Sequence, residues 1–334
     1  METNTRDRSI DILKGIGILL VVFNHVSWGK EVFIYIQSFH MPLFFVVSGY
    51  LWKPKSTKDI LKKRAKTLLM PYYIFMVFFL LIEVTLHLED GMTIDIMQAL
   101  RAIVLFPTDN ANMPIASAMW FLPCLFLVSV IYSFLDIFKF ETKAVIVLLI
   151  SVCGAVYSHF FDYMLPLTLE PTAAALFFML TGEYIKKNCP YETFLSKKLF
   201  IIGLLLIEAA LAFVNGSVDL RSARFHIAPL YFINGILGTI VYFGIAKCIV
   251  AFQSRLGGVL KNELINLGEY SIVILCTHQL FILIMSNCLR SLPTGAPNVL
   301  CSKFIIFVVT MLLSRLIIQG CKSYKSVRRL FGMS

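Results

Sequence analysis

Ten apolar runs, most of them close to twenty residues long, follow one another along this chain with only short polar stretches between them. A bilayer core about 30 Å thick takes roughly 20 apolar residues to cross as a helix, and lipid offers no partner to an unpaired backbone group. The runs therefore read as transmembrane helices: Ile10 to Trp28, Tyr35 to Trp52, Leu68 to Leu86, Ser117 to Phe138, Ala144 to Phe161, Thr172 to Ile185, Leu199 to Val214, Ile227 to Val250, Tyr270 to Leu289 and Leu300 to Gly320. The expected fold class is all-α, a polytopic integral membrane protein of about ten transmembrane helices forming one domain over residues 1–334. Composition agrees: 58% of residues are apolar and 15% charged, against about 45–50% and about 25% in a soluble domain.

A formal charge of +10 would suit a nucleic-acid binder, but basic residues in a membrane chain first answer to topology. With the N-terminus inside, the inner segments hold twenty-two of the 30 Lys and Arg, including the run from Lys53 to Lys66; the outer ones hold Lys30, Arg101, Arg221, Arg224 and Arg290. Both termini are therefore expected in the cytoplasm, with membrane lipids and no nucleic acid as partners. Arg6 and Arg8 ahead of an apolar run imitate a signal peptide. Asp11 and Lys14 interrupt that run and no small-x-small site follows before Trp28, so a retained first helix is expected. The outer segment His87 to Ala116 carries Glu89, Asp90, Asp95 and Asp109 against one arginine, compatible with a polar uncharged or cationic substrate or simply with a solvated loop. The 8 cysteines form no CxxC pair, so packing thiols are expected and no metal site.

The first run, IDILKGIGILLVVFNH, contains an aspartate, a lysine and a histidine. Ionisable groups within a span cost roughly 2.5–3.5 kcal/mol at its centre and mark working sites or aqueous cavities. From Lys14 to His25 the chain turns about 1100°, within about 20° of three full turns, so both share one face roughly 16 Å apart. Asp11, three residues before Lys14, can pair with it. Snorkelling near the inner surface explains Asp11 and Lys14 equally well. His25, flanked by apolar residues in the outer half, suits a base that activates a hydroxyl, although a structural histidine would read the same. Gly15 and Gly17 fit close helix approach.

Other residues could line the same cavity. His40 opens FHMPLFFVVSGY near the outer surface; Trp120 in WFLPCLF is either a belt aromatic or a platform for a sugar ring; His278 in ILCTHQL is a second imidazole halfway along its span. The basic run before LLMPYY fits lipid headgroups or the phosphates of a nucleotide-like donor. Glu83, Glu183, Glu208 and Glu269 lie in or beside spans, and sequence does not rank them.

In order and spacing these segments resemble the bacterial membrane-bound acyltransferase 3 family, in particular its fucose 4-O-acetylase-like group. The likeness runs over nearly the whole chain: R-x-x-x-x-D-I-L-K-G-I-G-I-x-x-V-x-x-x-H from Arg6 to His25, then FHMPLFFVVSGY, LLMPYY, WFLPCLF, and a late G-x-x-S-x-x-I-x-x-x-H met by Gly268, Ser271, Ile274 and His278. The resemblance implies an enzyme of the bacterial inner membrane that takes acetyl from cytoplasmic acetyl-CoA, with no permanently bound cofactor, and delivers it to a hydroxyl of a glycan or its lipid-linked precursor. It implies His25 as the catalytic histidine, with Asp11 beside it in the catalytic block. Lys14 takes the place of the family's basic residue, and Arg64, with Lys66 nearby, that of the first arginine of an R-x-x-R motif that helps hold the donor. The second arginine is replaced by Thr67. The competing class is a transporter or flippase for a glycan-related solute; no internal repeat and no mid-membrane acidic pairs speak for it.

Overall fold

A computed structural model of the chain describes residues 7–89, 96–105, 116–161, 163, 165–188, 198–290 and 298–333. Arg6, Cys189 and the outer-loop acids Asp90, Asp95 and Asp109 lie outside them. All regular elements among the described residues are helical: α1 (Arg8–His25), α2 (Lys30–Gln37), α3 (His40–Tyr50), α4 (Thr57–Arg64), α5 (Met70–Glu89), α6 (Ile96–Leu105), α7 (Phe121–Leu135), α8 (Phe140–Phe160), α9 (Leu169–Asn188), α10 (Lys198–Asn215), α11 (Ala228–Ala251), α12 (Arg255–Glu269), α13 (Ser271–Arg290), α14 (Val299–Ser323) and α15 (Lys325–Leu330). A helix lies over each of the ten apolar runs. Among the described residues six segments are long and apolar enough to cross a membrane: Lys30–Tyr50, Thr57–Thr85, Phe140–Phe160, Ala228–Ala251, Ser271–Arg290 and Val299–Ser323. Phe121–Leu135 and Leu199–Asn215 are shorter apolar helices.

Polar side chains start these helices where the sequence leaves the apolar runs. Asp7 caps α1 by accepting from the Ser9 amide at 2.9 Å. Ser56 accepts from the Asp59 amide at 3.2 Å and donates to its carboxylate at 2.7 Å, while Ser254 and Asn298 cap α12 and α14. Each satisfies an amide that has no partner in the first turn.

The helices fall into two compact units. The first comprises Met1–Trp52, Phe178–Val218 and Phe225–Ile274. Its core is built by α1, α3, α11 and α12 through Ile12, Leu13, Leu43, Val47, Ala246 and Leu264. The second comprises Lys53–Phe177, Asp219–Arg224 and Leu275–Ser334. Within it α8 and α9 approach closely, with Ser151 donating to the Ala173 carbonyl at 2.7 Å.

Two features depart from the sequence reading. The run Tyr35 to Trp52 is not one regular helix: it breaks between α2 and α3, where Phe39 leaves helical dihedrals at φ −144°. The segment after α11, read as an inner connection, contains the fifteen-residue helix α12, the main packing partner of α1.

Candidate active site

Small residues seat α1. A Cβ on Gly15 would lie 2.1 Å from the Leu264 carbonyl oxygen, so α1 and α12 touch through bare backbone. Gly17 faces the side chains of Leu43 and Phe44 on α3 at 2.9–3.2 Å. Both glycines thus serve the close approach expected of them. Held this way, α1 buries Asp11 to 3% exposure and sets its carboxylate 3.2 Å from Lys14 Nζ, whose side chain keeps 22% of its surface exposed.

His25 is the last residue of α1 and is half-buried. The chain turns sharply after it through Ser27 at φ 61° and Gly29 at φ 140°, and Phe23 stacks on Trp28 at 4.6 Å across that turn. A side chain at a helix end, partly open, can meet an incoming molecule. One in the middle of a packed helix cannot. The first unit therefore carries an imidazole at one end of α1 and an ion pair near the other, about three turns apart.

His40 is in the same unit but differently employed. Its ring is buried and Nδ1–H donates to the Ile36 carbonyl at 2.8 Å. That carbonyl lies at the break between α2 and α3, so the imidazole caps the end of α2. This hydrogen bond fixes the tautomer and turns Nε2 away from the helix end.

Sequence reasoning left Glu208 unranked, and it is the centre of a buried polar cluster in this unit. The carboxylate is wholly enclosed and accepts from Ser38 at 3.2 Å and from the Asn234 amide at 3.3 Å. Nearby, the hydroxyls of Tyr35 and Tyr242 lie 3.2 Å apart. The signal was present: a glutamate within an apolar run needs partners. Those partners come from two other segments, residues 35–38 and α11, the first far away in sequence.

The second unit holds the remaining predicted residues. Arg64 ends α4, and one π-helical turn, Ala65–Leu69, contains Lys66 and Thr67 before α5 begins. A π turn inside a helix is costly and often sits at a functional position. Arg64 is half-buried and Lys66 exposed. Trp120 precedes α7, half-buried, with its ring edge-on to Phe121. His278 is fully enclosed on α13, its Nδ1–H donating to the Leu275 carbonyl at 3.0 Å. Its neighbour Gln279, which sequence reasoning did not single out, accepts from the Ala118 amide at 2.8 Å and donates to the Ser117 hydroxyl. Gln279 thereby ties α13 to the turn that bears Trp120.

The structure thus brings Asp11 and Lys14 into direct contact, seats His25 on the same helix, and fastens the Trp120 turn beside His278 through Gln279. Of the cysteines, Cys124, Cys276 and Cys321 are buried, whereas Cys153, Cys288 and Cys301 lie exposed on helix surfaces. Chemically, the first unit offers a proton acceptor at a helix end and a lysine held by a carboxylate. The second offers a basic π turn.

A family profile described as an acyltransferase domain matches residues 7–318, nearly the whole chain. Nodulation protein NolL of Mesorhizobium japonicum is 40% identical over 88 residues, 21% of this chain and 22% of that protein. Nodulation protein NolL of Sinorhizobium fredii is 42% identical over 59 residues, 14% of this chain and 16% of that protein. The chain thus spans about a fifth of the length of these relatives. No solved structure matches it.

Proposed function

Because the chain belongs to the acyltransferase family whose profile matches residues 7–318, we propose that it is an integral membrane O-acyltransferase. It moves an acetyl group from cytoplasmic acetyl-CoA to a hydroxyl of a cell-surface or exopolysaccharide sugar, or of its lipid-linked precursor. The observation that carries this reading is the arrangement on α1: a half-buried histidine at its end and the Asp11–Lys14 pair at 3.2 Å near its start, inside the matched region. Ten crossings, both termini in the cytoplasm and a bacterial inner-membrane location belong to the same proposal, supported by the distribution of basic residues.

In the transfer, the thioester C–S bond breaks and an ester C–O bond forms. The hydroxyl loses a proton and the departing thiolate gains one. His25 serves this either by taking the hydroxyl proton as the sugar oxygen attacks, or by accepting the acetyl group and passing it on. Asp11 holds Lys14 in place as a positioning residue, and Lys14, Arg64 and Lys66 supply positive charge for the donor. Trp120 offers a face on which a sugar ring can stack, and His40 and His278, each bonded to a carbonyl of its own segment, are the further acceptor or cavity-lining residues of this reading. The acceptor chemistry proposed with this reading is that of the fucose 4-O-acetylase-like group that the sequence resembles.

The test is glycan-bound O-acetyl, measured by NMR of surface polysaccharide from cells with the wild type, with His25→Ala, or with no gene. Acetyl only with the wild type, at equal membrane levels of the variant, supports both the activity and His25. Equal acetyl in all three strains overturns the acetyl-transfer reading and favours transport of a glycan-related solute.

A further inference from the structure

The C-terminal segment folds back onto the basic π turn of the second unit. After α14 the chain makes one extended residue, Tyr324, and then the short helix α15. Phe331 is buried against Phe75 of α5, ring centroids 5.1 Å apart. Gly332, at φ 67°, lies so close to the π turn that a Cβ would come within 2.7 Å of the Lys66 carbonyl oxygen and the Thr67 Cα. The amides of Phe331 and Met333 both donate to the Arg328 carbonyl at 3.2 Å. Arg328 is thus one turn from the contact with Thr67.

This docking brings the C-terminal segment that carries Lys325, Arg328 and Arg329 to the turn that contains Lys66 and follows Lys62, Lys63 and Arg64. Among the described residues none of these seven side chains enters an ion pair. Arg328 is half-buried, and its Nε has no hydrogen-bond partner. An enclosed guanidinium N–H without a partner is satisfied by a ligand that brings several negative oxygens. Thr67, where a second arginine is missing, is also the residue that Gly332 covers.

We propose that the C-terminal helix completes an anion site with the π turn, Arg328 and Arg329 supplying the guanidinium groups absent at position 67, and that its ligand is the phosphate cluster of the acyl-CoA donor. The proposal rests on the acyl-transfer reading above for the donor's identity. α15 lies beyond residue 318, where the family match ends. The planar fork of arginine matches phosphate oxygens two at a time, which lysine does not. Anionic lipid headgroups present the same oxygens, and the experiment separates the two sources.

Full-length protein in nanodiscs of phosphatidylcholine alone is titrated with coenzyme A by calorimetry. The wild type is expected to bind, and Arg328→Ala with Arg329→Ala to bind at least tenfold more weakly while its melting temperature is not lowered. If the alanine variant does not fold, Arg328→Lys with Arg329→Lys is read instead, and a weakening of several-fold is expected from loss of the fork at constant charge. Unchanged coenzyme A affinity in the folded variant overturns the proposal. It is equally overturned if the substitutions reduce only the protein's preference for nanodiscs containing phosphatidylglycerol, which would assign the site to lipid. A wild type that binds no coenzyme A overturns the donor reading itself, a separate result from a variant that binds as well as wild type.

Discussion

Gly268 on α12 presses so closely on α1 that a Cβ there would stand 1.8 Å from the carbonyl oxygen of Asp11. The helix that bears the candidate catalytic histidine is therefore seated by backbone-to-backbone contact at the residue that holds Lys14. A second such contact, Gly15 on Leu264, lies one turn further along. No side chain at either position can yield, so any substitution moves a helix.

Gly268→Ala is accordingly expected to destabilise the protein by about 1–3 kcal/mol or more, the range for overpacking, and to reduce activity by displacing α1. Gly203→Ala is the internal control, because nothing lies within 4 Å of a Cβ there and alanine is favoured over glycine in a helix by up to about 1 kcal/mol. Thermal unfolding of detergent-solubilised protein should show a lower midpoint for the first and an equal or higher one for the second. Equal midpoints for the two would contradict the contact.

Lys14→Met leaves the buried Asp11 carboxylate without its cation at 3.2 Å. The loss is expected to fall below the roughly 3–5 kcal/mol of a fully enclosed pair, since 22% of the Lys14 side chain is exposed. Adding Asp11→Asn should recover stability without recovering acetyl transfer, because the variant then lacks the charge assigned to the donor side. Stability and activity measured on the same preparations separate the two effects. Recovery of both by the double variant would remove Lys14 from the site.

Much of the helical architecture was legible because apolar runs of this length have few alternatives in lipid. α12 was not legible. Six of its fifteen residues are polar and three are glycine, and its role is to supply Gly268 and Leu264 to a helix more than two hundred residues earlier. The Asp11–Lys14 pair could be read from a three-residue spacing, since both groups lie on one helix. Glu208 could not be distinguished from three other glutamates, because what marks it is the meeting of Ser38 and Asn234 around its carboxylate. His40 looked interfacial, yet its imidazole closes a helix end that exists only because the chain breaks at Phe39.

Glu208→Ala is expected to remove the acceptor that Ser38 and the Asn234 amide share; Ser38 keeps the Tyr35 carbonyl at 2.6 Å, so the Asn234 amide is the buried donor left unmet, at about 1–3 kcal/mol. Glu208→Gln keeps one carbonyl oxygen for them and should be the milder change. The order wild type, glutamine, alanine in thermal midpoint is the expected outcome. An alanine variant as stable as wild type would mean the cluster does not hold α2, α10 and α11 together.

Lys143 counts by position as one of the inner basic residues, but it is spent on a contact within the second unit. Its side chain is 4% exposed, its ammonium lies 2.9 Å from Asp136 Oδ1, and it stands 4.2 Å over the ring of Tyr132. A cation enclosed in this way contributes to orientation only while the chain inserts, and afterwards to packing. Lys143→Met should therefore destabilise by roughly 3–5 kcal/mol, the cost of leaving a buried carboxylate behind, without altering topology. Lys143→Met with Asp136→Leu replaces the pair by apolar groups and is expected to return most of that stability. Accessibility of a cysteine placed at Lys55, probed from each side of the membrane, should be the same in wild type and both variants. An inverted labelling pattern in Lys143→Met would instead make this lysine a determinant of orientation.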